Sequence, residues 1–391
     1  MTLVYIAAGE ASGDILGARL MAALRVLRPG LEFAGIGGER MAEQGVESLF
    51  PMRELSLMGL LEVLPNLHRL ARRMDQAEAD VLARRPAVLV TIAAPSFTLR
   101  LAARLRPRGI PVVHYVAPQV WAWRPGRVAD IAARVDRILA LLPFEPPFFE
   151  RAGIAVTFVG HPVLESGAAS GDAARFRATH ELRPEERVVL VMPGSRRSEV
   201  RRLLGVFGAA LRLAGAEVPG LRPVVALAGP VEAAVRAGSA DWPVPPIFVR
   251  TAAEKHDAYA AAAVGLIKSG TSSLEVAVAG VPHVVGYRVN PVTAAIVRRL
   301  IKVPFVSLVN LLAERAVVPE LLQQDCTPAR LAAGLVELLR DPAKVAAQQA
   351  GFADVLARLR APEGLPSEAA ALAVLGVMEA RSTLLNSAKF G

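Results

Sequence analysis

The chain has 391 residues, a net charge of +9, 53% hydrophobic and 21% charged residues, and a single cysteine, Cys326. That length predicts two domains, and the composition excludes a disordered chain. One cysteine excludes an internal disulfide and fits a reducing compartment, while no apolar run reaches the ~18 residues of a membrane-spanning helix.

The N-terminal LVYIAAG enters a strand with no basic segment before it, which argues against a signal peptide and for a cytoplasmic location. Further apolar runs predict strands at 3–7, 88–92, 112–116, 137–141, 156–159, 188–192, 224–228, 264–267 and 283–287, with helices such as 13–27, 129–135 and 200–213 between them. This alternation indicates an α/β fold of two Rossmann-like domains facing a cleft, each a parallel sheet covered by helices. The pattern resets near 162–187, so the expected divisions are 1–165, 166–361 and a helical tail at 362–391 that packs back on the first domain or on a partner chain. A homodimer is left open.

Each half carries a Gly-containing loop after its first strand. In the first, Glu10, Ser12 and Asp14 stand at the mouth of the strand, where a carboxylate pair can orient a sugar hydroxyl. In the second, Gly194, Ser195 and Arg196 follow the run 188–192. A further loop, Ser269, Gly270, Thr271, Ser272 and Ser273, leads into a helix whose first turn carries Glu275. Helix starts of this kind offer unpaired N–H groups and a positive dipole end to phosphate, and Glu275 can accept from a ribose diol. Two such loops in one half point to a nucleotide diphosphate; the plain alternative for either loop is a strand-to-helix turn. The dinucleotide pattern GxGxxG is absent, Gly35-Ile36-Gly37-Gly38 being a partial match, so hydride transfer is disfavoured. Arginine supplies nearly all the cations, which suits phosphate-bearing partners or reflects genome composition. Few aromatics and no basic stripe argue against nucleic acid.

These motifs resemble a known family. AGEASGD (8–14), GIGGERM (35–41), MGLLEVLP (58–65), YVAPQVWAWRPGR (115–127), LPFEPPFF (142–149), FVGHP (158–162), MPGSRRSE (192–199), KSGTSSLE (268–275) and NLLAERAVVPELLQ (310–323) are similar to those of the lipid-A-disaccharide synthases, in the same order. The resemblance covers roughly residues 3–330 and implies the GT-B glycosyltransferase architecture. It implies an inverting transfer from UDP-2,3-diacylglucosamine to 2,3-diacylglucosamine 1-phosphate, giving a β-1′,6 disaccharide and UDP in lipid A biosynthesis. Such chemistry needs a base at the acceptor hydroxyl and charge neutralisation on the departing diphosphate. Arg196 and the 269–273 loop suit the second need. Asp-x-Asp is absent, so no metal and no cofactor are expected. The acceptor side would take Gln119, Trp121, Trp123, Arg124 and Arg127, against the alternative of core tryptophans with a solvated basic edge. His161 is a substrate contact or a structural hydrogen-bonder; Asn310, Glu320 and Gln323 are cleft lining or helix capping and polar surface.

One departure stands out. The family pattern D-x-P-D-F, whose second aspartate the resemblance implies as base or acceptor contact, reads Ala93-Ala94-Pro95-Ser96-Phe97 here. Ser96 cannot take a proton near neutral pH without a base of its own, which leaves Glu10, Asp14 or His114 as substitutes, rate from orientation alone, or a weak or inactive relative that binds UDP-sugar or lipid. The other enzymatic alternatives are a different UDP-N-acetylglucosamine-using GT-B transferase and a UDP-sugar epimerase. Residues 58–74 and 292–305 mix apolar positions with arginine or lysine. They predict peripheral attachment to the anionic inner face of the cytoplasmic membrane, or else ordinary amphipathic helices.

Overall fold

The computed structural model describes residues 2–55, 66–123, 125–290 and 303–390, without the side chains at 122, 123, 125 and 384–390. The chain divides into two compact units, Met1–Pro162 with Leu359–Gly391, and Val163–Arg358.

The first unit is built on six strands, β1 (Thr2–Ala8), β2 (Leu31–Ile36), β3 (Val88–Ile92), β4 (Val112–Tyr115), β5 (Arg137–Ala140) and β6 (Ala155–Phe158). They pair in parallel in the order β2-β1-β3-β4-β5-β6. Helices cover the sheet, so its central strands are apolar throughout: every residue of β3 is buried. The helix Leu67–Arg84 turns Met74, Ala77 and Val81 into that core. The helix Pro366–Phe390 lies against the helix Ala11–Leu27 and buries Ala370, Ala371, Val374, Leu375 and Met378.

The second unit repeats the plan with β7 (Arg187–Met192), β8 (Leu221–Ala226), β9 (Ile247–Val249), β10 (Ala262–Lys268), β11 (His283–Tyr287) and β12 (Glu320–Leu322). Its parallel order is β12-β11-β10-β7-β8-β9. The helix Arg197–Glu217 buries Val200, Leu203, Leu204, Phe207 and Leu211, a stripe of helical period.

Three strands escape the sequence pattern. β9 and β12 are three-residue edges, too short for a periodic signal. β2 contains Gly35, where an added Cβ would lie 1.8 Å from the Ile6 carbonyl oxygen, so the glycine that resembles a dinucleotide loop is there for close backbone packing.

Each sheet has one point where neighbouring strands send their connections in opposite directions, β1 beside β3 in the first unit and β7 beside β10 in the second. Crevices of open α/β sheets form at the carboxyl ends of such strands. The polar loops singled out in the sequence follow three of these four strands directly, and Ser96 follows the fourth.

The first unit is also closed where the chain leaves and re-enters it. His161 N–H donates to the Leu359 carbonyl at 2.8 Å, and Arg19 to the Pro162 carbonyl at 3.0 Å. Gly160 has φ +77°, and an added Cβ would meet the Ala361 nitrogen at 2.5 Å. Gly160→Ala is therefore expected to destabilise the protein by about 1–3 kcal/mol, seen as a lower chemical-denaturation midpoint. An unchanged midpoint would contradict this closure.

Candidate active site

In the first unit the β1 and β3 loops touch: a Cβ at Gly9 would lie 2.5 Å from the Ala94 Cβ, so only glycine permits the approach. Glu10 precedes the helix Ala11–Leu27, half-buried, and accepts the Ser12 hydroxyl at 2.6 Å. Ser96 is exposed in the first turn of the helix Pro95–Leu105. Between β3 and that helix, Ala93 and Ala94 both have left-handed backbone, φ +47° and +42°, with the Thr98 hydroxyl donating to both carbonyls. Past the end of the adjacent β4, Val116 has φ +79°, a strained value for a β-branched residue, and the exposed Gln119 follows. Strain at neighbouring strand ends is typical of functional sites. No residue type here announces it in the sequence.

In the second unit Glu199 ties the two loops together. Its carboxylate accepts the N–H groups of Ser195 and Arg196 at 3.2 and 3.3 Å and pairs with Lys268 Nζ at 3.3 Å, across from β7 to β10. Gly194, φ +116°, is required because a Cβ there would strike Glu199 at 2.4 Å. Neither Glu199 nor Lys268 was singled out from sequence, although a glutamate three residues after the N-cap is the capping-box spacing. Arg196, Arg197 and Ser198 are exposed above this knot, and Thr271 is exposed on the facing loop. Glu275 is half-buried beside Tyr259, whose hydroxyl is held well above its ordinary range by burial and then by that carboxylate.

With this geometry in place, comparison with known proteins decides the family. A model described as lipid-A-disaccharide synthetase matches residues 4–374. The chain belongs to the lipid-A-disaccharide synthetase family. A lipid-A-disaccharide synthase of Granulibacter bethesdensis is 51% identical over 387 residues, covering 96% of this chain and 98% of that one. One from Gluconobacter oxydans is 51% identical over 376 residues, covering 96% and 91%. Among solved structures, the UDP-GlcNAc 2-epimerase of Neisseria meningitidis aligns over 97% of this chain and 100% of its own with a TM-score of 0.62 at 12% identity, a likeness of fold. The fold is that of GT-B enzymes, two Rossmann-like domains. Membership makes the chain a glycosyltransferase, a hexosyltransferase of lipid A biosynthesis.

Several of the side chains expected at the site are engaged by other groups of the protein. Asp14 does not face a sugar: it is buried, and its oxygens accept the N–H groups of Gly38 at 2.8 Å, Arg40 at 3.0 Å and Met41 at 3.0 Å, capping the short helix Glu39–Glu43. His114 cannot serve as base, because it has no exposed surface and its Nδ1 sits 2.8 Å from the Thr91 hydroxyl. His161 is likewise buried, and the Trp121 indole N–H is taken by Glu145 at 3.1 Å. In the second unit the Ser269 hydroxyl donates to the Val306 carbonyl at 3.1 Å and the buried Ser273 hydroxyl to Gly270 at 2.7 Å. Asn310, also buried, donates to Val318 and Glu320 and accepts from Val317 and Val318, so its amide is saturated. Glu320 accepts the Val306 and Ser307 amides, and Gln323, φ +49°, accepts from Val289 at 3.3 Å. Asn310 and Glu320 hold residues 306–318 to the start of β12, and Gln323 holds the segment after β11. Arg124 and residues 58–65 and 291–302 lie outside the described residues, as does the Trp123 side chain. Of the 58–74 segment, Met74 and partly Leu70 pack into the core, while Leu67, Arg69 and Arg72 are exposed. No helix among the described residues is long and apolar enough to cross a membrane.

Burial pushes the imidazoles of His114, His161 and His283 down to about 4. The unfolded chain takes up these protons near pH 6.5 and the folded chain only near pH 4, so their contribution is full above 6.5 and falls as pH drops toward 4. Denaturation midpoints between pH 7 and 4.5 should fall less steeply in His114→Gln than in wild type. Equal slopes would show that His114 does not titrate in this window; the difference between the two proteins removes the contribution of carboxyls common to both.

Proposed function

We propose that this glycosyltransferase joins UDP-2,3-diacylglucosamine to 2,3-diacylglucosamine 1-phosphate, releasing UDP and the β-1′,6 disaccharide. The second unit takes the donor. The observation that carries this half is an accumulation of positive charge where a helix disfavours it. Arg196 stands at the N-cap of the helix Arg197–Glu217 and Arg197 at its first position, with Arg201 and Arg202 a turn further on, against one first-turn carboxylate, Glu199, which pairs with Arg196 at 3.4 Å and Lys268 at 3.3 Å. A helix start favours negative charge, so the exposed Arg197 is dipole-opposed and the nearby cations outnumber the one carboxylate until an anion arrives. A diphosphate at the carboxyl ends of β7 and β10 relieves both effects. Gly194, Ser195 and Arg196 then meet it from one loop, the backbone of 269–273 and the Thr271 and Ser272 hydroxyls from the other, and Glu275 takes the ribose.

The first unit takes the acceptor. With Asp14 and His114 withdrawn into the scaffold, Glu10 is the remaining carboxylate of the β1 loop, on the loop that touches the Ser96 segment. Glu10 is the base, and Ser12, Ser96 and Gln119 orient the acceptor. The enzyme works as a peripheral protein at the inner face of the cytoplasmic membrane, since both substrates are acylated. The exposed Leu67, Arg69 and Arg72 support that attachment.

UDP release and disaccharide formation by the purified protein, with both acylated substrates, test this reading. Glu10→Gln should lower kcat by about 10²-fold or more, the range for loss of a positioned base, and Ser96→Asp should raise it about tenfold or more by adding a carboxylate at the helix start. Unchanged turnover in Glu10→Gln would remove Glu10 from the chemistry. No wild-type turnover with UDP still bound would favour a UDP-sugar-binding relative.

A further inference from the structure

Glu145 has no part in the reaction above, yet it is the most deeply buried carboxylate among the described residues, 2% exposed. It opens the helix Glu145–Glu150 behind β5, and Oε2 accepts the N–H groups of Leu141 at 3.1 Å and Leu142 at 3.0 Å. Oε1 accepts the Trp121 indole N–H at 3.1 Å, and the Trp121 ring meets Phe144 edge-on with centroids 4.8 Å apart. Trp121 belongs to the single turn Val120–Trp123, which follows the strained Val116 and the exposed Gln119. One helical turn has no stability of its own, so its position depends on these anchors from the neighbouring strand's loop. An apolar side chain would fill the Glu145 site without burying a carboxyl group. What it could not do is accept three N–H donors at once.

We propose that Glu145 is a positioning residue of the transferase: through the Trp121 indole it fixes the turn of residues 118–123, and with it Gln119, at the end of β4 where the acceptor binds. This rests on the acceptor-side reading given above. The groups that hydrogen-bond to Glu145 are the two amides and the indole, and no charged side chain among the described residues contributes to its field. Burial pushes its carboxyl up to about 7, with the three N–H donors opposing. Protonated and ionised forms both hold the indole, and the ionised form holds it more strongly. The folded carboxyl therefore binds the turn more tightly as pH rises through 7, although its stability contribution is lost over the same rise.

Steady-state kinetics of wild type, Glu145→Gln, Trp121→Phe and the double variant test the proposal. In Glu145→Gln the amide oxygen stays on the adjacent Leu141 and Leu142 amides, and its N–H₂ group faces the indole donor. In Trp121→Phe, Glu145 keeps both amides. Each single variant should raise acceptor KM about tenfold, the equivalent of one charge-assisted hydrogen bond, with kcat and donor KM within about twofold, and the double variant should be no worse. Wild-type acceptor KM should fall from pH 6 to 8, and Glu145→Gln should show no such fall. Unchanged acceptor KM in folded variants, or an equal loss across donor KM and kcat, would overturn the proposal. If Glu145→Gln does not fold, Trp121→Phe carries the test alone. If wild type turns nothing over, the acceptor-side reading fails at that point, and calorimetric affinity for 2,3-diacylglucosamine 1-phosphate in the same proteins decides the inference by the same tenfold criterion.

Discussion

In each six-stranded sheet one pair of neighbouring parallel strands, β1 with β3 and β7 with β10, sends its connections away in opposite directions, and the polar loops read from the sequence follow those strands. Two loops leave the same sheet edge side by side there, the arrangement that opens a crevice in α/β sheets. The glycines follow from it. Gly9 lets the β1 loop meet Ala94, and Gly194 lets the β7 loop fold over Glu199. Two buried carboxylates, each 5% exposed, fix backbone nearby: Glu199 holds N–H groups of its own loop, and Asp14 holds those of the segment after β2.

Both edges store unfavourable energy. In the first unit it is conformational, in Ala93, Ala94 and Val116. In the second it is electrostatic, in Arg197 at the N-terminus of one helix, partly offset by Glu199 in the same turn. Neither feature improves the folded protein. The scaffold beneath compensates with fully buried strands and with polar knots such as Asn310 with Glu320 and Gln348 with His283.

The central strands and the long amphipathic helix Arg197–Glu217 were legible in the sequence, because buried parallel strands and helical stripes leave strong periodic patterns. The loops were legible for the same reason, each following such a strand. What could not be read was the direction in which a polar side chain points. Asp14, Ser269, Ser273 and Asn310 have the composition of ligand contacts, yet their partners are backbone groups 3 to 37 residues away in sequence. Lys268 and Glu199 were hidden because their pairing depends on β7 and β10 being neighbours, with two strands between them in the chain. The left-handed backbone at Ala93, Ala94 and Val116 has no glycine or asparagine to mark it.

Under the proposed function the two loops at the β7–β10 divergence together hold the nucleotide. Amide hydrogen exchange with and without saturating UDP measures this most directly. Slowed exchange is expected in residues 194–199 and 268–275 together, with residues 9–14 and 93–97 unchanged. UDP binding that protects neither of the first two segments, or protects the second pair instead, would contradict it.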